Sequence, residues 1–119
     1  MNSKTLVIFL AASPYGGESA ETALRLAEAA LAKGHRVRLF ASGDGVHLPQ
    51  IGQRAVGIPD ALAELRDLMP RGLQVELCGS CLRIRGVSRE LIVEGAEPGS
   101  LKGLFAAVSE ADAFLSLSA

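Results

Sequence analysis

The chain has no tryptophan, one tyrosine and four phenylalanines in 119 residues. A flat cofactor such as a flavin wants aromatic or apolar cover from its binding loops, and Tyr15 is the one aromatic ring in the loops concerned. Cysteine and histidine are equally scarce, at two each. Two cysteines do not fill a tetrahedral zinc site, and His35 and His47 do not stand at ligand spacing, so no metal is expected. There is no Walker A pattern, and Gly43-x-Gly45 lacks the third glycine of a dinucleotide fingerprint. No Ser/His/Asp arrangement stands out. The net charge of −1 gives no general pull toward nucleic acid or acidic lipid, and neither is expected as a partner. No apolar run approaches the roughly 20 residues of a membrane span. The short run 6–12 behind Lys4 sits at the lower limit of a signal-peptide core, and a strand explains the same residues. A cytoplasmic location with both cysteines kept as thiols is therefore expected.

What the chain does have is aliphatic material: 49% of its residues are hydrophobic, and its mean hydropathy is +0.29. That is more apolar surface than a compact monomer of this size easily hides, which points to self-association. A sheet covered on both faces reads the same way. The length fits one domain over residues 1–119.

The hydrophobic pattern alternates between short apolar runs and amphipathic segments. Residues 5–12 form a nearly continuous apolar run, the mark of a buried parallel strand, broken at Ser13-Pro14-Tyr15-Gly16-Gly17. From 19 to 33 the period is helical, with Ala20, Ala23, Leu24, Ala27, Ala30 and Leu31 on one face and Gly34 as the stop. Residues 35–40 make a second strand, and strand-helix-strand is a right-handed crossover unit. The stretch 41–57 has no assignable period, and its part 48–57 is expected to be a mobile cover or a subunit contact. Pro59 opens a helix to about 69, and residues 73–77 form a third strand. Ser88 is expected to cap a short turn, and a weak edge strand is expected near 95–97, disturbed by Pro98. Ser100 caps a helix with Leu101, Leu104, Phe105, Val108 and Ala111 inward, and residues 113–118 close the sheet. The result is an α/β domain: a doubly wound, mostly parallel five-stranded sheet with helices on both faces.

In such folds the ligand site lies beyond the carboxyl ends of the strands. Three loops end there: 13–18, 41–47 and 78–81. The third carries Cys78-Gly79-Ser80-Cys81, followed by Arg83 and Arg85. Cys78 thus falls where a strand ends and a helix begins. Unpaired N–H groups and the positive dipole end there favour a thiolate. Three readings of Cys78 stand: a buried structural thiol, a redox dithiol with Cys81, and a nucleophilic or sulfur-carrying thiolate. His47 and Asp44 read most simply as a solvated loop histidine and a turn residue.

Taken in order, these pieces resemble the DsrE/DsrF/TusD-like sulfur-relay family. They are the Pro14-Tyr15 loop after the first strand, the alanine-rich helix, and the run Gly43-Asp44-Gly45-Val46 after the second strand. Then come Cys78 with Arg85-Gly86-Val87 downstream, and Glu110-Ala111-Asp112 before the final strand. The resemblance implies a flavodoxin-like, doubly wound sheet, assembly into homotrimers or homohexamers, and handling of persulfide sulfur. It implies that Cys78 accepts sulfur from a donor protein and passes it to an acceptor, with Cys81 as in a two-cysteine subgroup. No separate cofactor is implied, since the sulfur is the cargo. The residues expected around it are Pro14, Tyr15, Gly16, Gly43, Asp44, Gly79, Ser80, Arg83 and Arg85. Gly79 and Ser80 leave room for a partner's cysteine. A dithiol oxidoreductase and a non-catalytic oligomeric ligand-binding module are the alternatives.

Overall fold

Leu6, Val7, Ile8 and Phe9 are uncharged and mostly branched or aromatic, a composition that suits a strand covered on both faces. The computed structural model, which describes residues 3–118, places them in β1 (Thr5–Leu10). The other strands are β2 (Arg36–Ala41), β3 (Gln74–Cys78), β4 (Glu97–Gly99) and β5 (Ala113–Leu117). They form one five-stranded sheet in the order β4-β3-β2-β1-β5, and every pairing is parallel. The expected α/β class and five strands stand, with a fully parallel sheet.

Topology dictates the layers. The chain steps from β1 to β2, β3 and β4 in one direction, so right-handed crossovers put the intervening elements on one face. These are α1 (Ser19–Ala32), α2 (Ala61–Leu68) and the short α3 (Gly79–Ile84), and their apolar residues join one core. The return from β4 to β5 runs the other way. Its helix α4 (Leu101–Glu110) therefore lies on the opposite face, over Val7 and Phe40.

Local sequence sets the ends of the elements. α1 buries Ala20, Ala23, Leu24 and Ala27, as its period predicts, and Gly34 closes it at φ +83°. α2 starts later than Pro59, because the Asp60 carboxylate accepts the Ala63 N–H at 3.1 Å and takes the cap for itself. The Ser88 side chain makes no capping bond to the 3-10 turn Arg89–Leu91. The edge strand sits at Glu97–Gly99 and includes Pro98, whose missing N–H is tolerated there.

α4 keeps three of its five expected stripe residues, Leu104, Val108 and Ala111, against the sheet, and turns Leu101 and Phe105 out. Leu104 and Ala107 are buried, with Val108 and Ala111 packed beside them. Leu101 and Phe105 are 54% and 69% exposed. The spacing 104, 107, 108, 111 fits a helix face as well as the expected stripe does, and small Ala107 allows close approach to the sheet.

The unassigned stretch 41–57 is ordered in its first half, and the expected cover 48–57 begins with two buried residues. Gly43–His47 forms a 3-10 turn, and Val46, Leu48 and Pro49 are fully buried. Gly45 lies so close to β1 that a Cβ would stand 2.3 Å from the Leu10 carbonyl oxygen. The Ile51 N–H donates to the Leu91 carbonyl at 2.7 Å, and the Val93 N–H to the Pro49 carbonyl at 2.8 Å.

Candidate functional site

β3 ends at Cys78, which is the N-cap residue of α3 with extended backbone (φ −70°, ψ 115°). The expected strand-to-helix junction is therefore present. The Cys78 thiol makes no capping bond. It is half-buried against the Val7, Phe40, Leu104 and Ala107 cluster. Cys81, one turn into α3, packs against the other core.

The hydrogen-bond donors gather around Cys81. The Gly43 N–H donates to its Sγ at 3.3 Å, and the Ser42 hydroxyl lies 3.6 Å from the same atom. Cys78 supplies a further hydrogen bond. Burial alone would raise the Cys81 pKa. The bonds from Cys78, Gly43 and Ser42, together with the Arg85 charge, outweigh it and hold the thiol below its ordinary value. The sequence expectation set the thiolate at Cys78 because the motif shows only the helix start. The donors come from the loop after β2, 38 residues away along the chain.

Of the two arginines, one reaches this cluster. Arg85 Nε donates to Asp44 Oδ1 at 3.0 Å, its Nη2 stands 2.9 Å from the same oxygen as an ion pair, and its Nη1 donates to the Cys81 carbonyl at 3.2 Å. Arg83 instead donates to the Ser80 hydroxyl at 3.3 Å. Gly79 and Ser80 occupy the first turn of α3, half-buried and exposed.

The first loop serves a different neighbour. Tyr15 Oη donates to Gln53 Oε1 at 2.7 Å. The Gln53 amide in turn donates to the carbonyls of His47, Leu48 and Gln50. Pro14 is buried, and with Tyr15 and Gly17 it lines a cavity of about 160 Å³ shared with Ile58, Pro59 and Glu64. Gly16 lies against Ser13. So two of the three expected loops meet at the cysteines, and the Pro14–Gly17 turn braces the segment before α2. Sequence reading missed Ser42 and Gln53. Ser42 was discoverable as the hydroxyl beside the Gly43-Asp44-Gly45 run; Gln53 has no local signal.

Among the described residues, no group of three or more His, Cys, Asp and Glu side chains gathers to hold a metal. His47 Nδ1 lies 2.9 Å from Gln50 Oε1, and His35 Nδ1 accepts the Lys4 N–H at 3.2 Å. No helix among them is long and apolar enough to cross a membrane.

Relatives share this whole frame. The uncharacterized protein MK0008 of Methanopyrus kandleri is 37% identical over 107 residues, covering 90% of this chain and 88% of its own. MJ0989 of Methanocaldococcus jannaschii, also uncharacterized, is 34% identical over 105 residues, covering 88% and 92%. The crystal structure of the YchN protein from Escherichia coli superposes with a TM-score of 0.88 at 30% identity, over 98% of this chain and all of that one (100%). MTH1491 of Methanobacterium thermoautotrophicum, at 14% identity, shares the fold with a TM-score of 0.81 over 97% of this chain and 100% of its own. The sequence matches the DsrE/DsrF-like family over residues 4–117, and the chain belongs to that family.

Proposed function

We propose that this protein is a sulfur carrier, a sulfurtransferase-type protein that takes sulfane sulfur from a donor protein as a persulfide on Cys78 and passes it to an acceptor thiol. The observation that carries this reading is the pair of free cysteines, Cys78 and Cys81, at the carboxyl edge of the sheet, with the Gly43 N–H aimed at the Cys81 sulfur. Family membership supports it.

The pair gives each cysteine a role. Cys78 is the attacking sulfur, and Cys81, in its thiolate form, is the base beside it. In the loading step Cys78 Sγ attacks the outer sulfur of the donor's R–S–SH while its proton passes to Cys81. One S–S bond forms at Cys78 and the donor's S–S bond breaks. The products are Cys78–S–SH, Cys81–SH and the donor thiolate, with no net oxidation. Cys78 takes the sulfur because an extra atom on Cys81 would displace the Gly43 N–H and the Ser42 hydroxyl. No cofactor is needed, and the chemistry requires a compartment that keeps thiols reduced.

Intact mass after incubation with a small-molecule persulfide donor tests the assignment. The parent protein and Cys81→Ser should each gain one sulfur atom, the variant more slowly, and Cys78→Ser should gain none. Equal loading of both variants would overturn the role of Cys78, and an unloaded parent would overturn the carrier reading. The two free cysteines of the one turn favour one alternative, a dithiol oxidoreductase. That reading requires a reversible Cys78–Cys81 disulfide and loss of activity in both single variants.

Self-association belongs to this reading. Phe105, Leu101 and Phe114 are exposed on the α4 side of the sheet, and the mean hydropathy is high. We propose that further copies of this chain cover that side, as homotrimers or homohexamers.

A further inference from the structure

We infer that Asp44 and Arg85 are positioning residues that hold the loop after β2 against α3, keeping the Ser42 and Gly43 donors on the Cys81 sulfur. The inference deepens the reading of the cysteine pair as a reactive site, yet it concerns thiol reactivity and needs no sulfur transfer to be tested.

The difficulty it addresses is geometric. Cys81 sits on α3, while its donors sit on the turn that follows β2. Gly43 takes φ +54°, a backbone state open to glycine at little strain. A 3.3 Å N–H···S contact between two separate elements persists only if something fixes their spacing. Arg85 is placed to do so. As the C-cap residue of α3, four positions past Cys81, it lies over the Cys81 carbonyl and donates to it through Nη1. Its Nε and Nη2 grip Asp44 Oδ1, one residue past Gly43. One planar guanidinium therefore spans both elements, a task for which its rigid fork is suited. Asp44 is 62% exposed, so the ion pair adds little to global stability. Its effect is local.

Position and charge make opposite predictions. The charged or titratable groups at Cys81 are Cys78 from β3 and Arg85 from the end of α3, with Asp44 of the 3-10 turn paired to that Arg85, while Arg83 is turned to Ser80. Were Asp44 to act by charge alone, removing it would favour the thiolate. Were it to act by position, removing it would release Arg85 and the donor loop and disfavour the thiolate.

The experiment is iodoacetamide alkylation of the reduced full chain across pH, with Cys78 and Cys81 resolved by fragment mass spectrometry. Asp44→Ala should slow Cys81 alkylation at neutral pH by about fivefold, the worth of one hydrogen bond, and move its pH profile upward. Arg85→Lys, which keeps the charge and loses the fork, should do the same. Asp44→Glu should recover part of the rate. Circular dichroism confirms that each variant is folded. Faster alkylation of Asp44→Ala, or an unchanged Arg85→Lys, overturns the inference. Failure of sulfur loading would refute the carrier reading while leaving these rates intact.

Discussion

The two faces of the sheet are built to different standards. The face under α1 and α2 holds the large core cluster, while the small cluster on the other face has only Val7, Phe40, Leu104 and Ala107 buried. The α4 face has those four; on it Arg38 pairs with Glu76, while Arg38 Nε is buried without a partner among the described residues. Phe114 on β5 is 47% exposed on this side. One face is completed within the chain, and the other is only half covered. Stability should therefore reside on the first and association on the second. The cysteine turn lies on the border, since Cys81 packs into the first core and Cys78 against the second.

Matched truncations test that division most directly. Leu65 in α2 is fully buried, and Leu65→Ala should cost about 3 to 4 kcal/mol in urea unfolding. Leu104→Ala, from the small cluster, should cost about 2 kcal/mol, at the low end for such truncations. Equal costs would abolish the asymmetry. Gly45→Ala comes next. Its new Cβ would meet the Leu10 carbonyl, so about 2 kcal/mol of overpacking strain is expected. It should also loosen the turn that carries Gly43, slowing Cys81 alkylation in the same sample. On the open face, Phe105→Glu should change monomer stability by less than about 0.5 kcal/mol, as exposed sites do, while lowering the sedimenting mass. A mass that does not change would leave the second face without a copy to cover it.

The same asymmetry explains what was legible in the sequence. Apolar periodicity reports burial, so the well-covered β1 and α1 were readable nearly to the residue, and Gly34 marked its stop. α4 was read in part: Leu104, Val108 and Ala111 face the sheet as expected, and only packing decides that Ala107 joins them in place of Leu101 and Phe105. The 41–57 stretch was opaque for another reason. Its order comes from a glycine pressed on β1 and from hydrogen bonds to residues 91 and 93, which leave no period. At the site, the motif located the cysteines and the strand-to-helix junction. It did not show which sulfur collects the donors, because those donors belong to a loop brought in by the fold. Tyr15 was placed at the right edge of the sheet, yet its partner Gln53 lies 38 positions along the chain.

The smallest expected effect separates the two cysteines by the face each belongs to. Cys81 has its pKa lowered by folding, with burial opposed and overcome by the bonds from Cys78, Gly43 and Ser42 and by Arg85. Between its folded value and the ordinary thiol value, the unfolded chain binds more protons than the folded one. Unfolding free energy should therefore rise with pH through that window. The contribution is complete above the unfolded pKa and disappears as pH falls through the folded one. Urea unfolding in reductant from about pH 6 to pH 9 should thus show the parent gaining stability relative to Cys81→Ser as pH increases. Groups common to both proteins cancel in the difference. Cys78→Ser, on the other face, retains a hydroxyl that can donate to Cys81, so its curve should keep most of the upward trend. Parallel curves for the parent and Cys81→Ser would mean that the donors around Cys81 do not make it acidic. A trend lost equally in both variants would mean that the charge belongs to the pair, with neither face owning it.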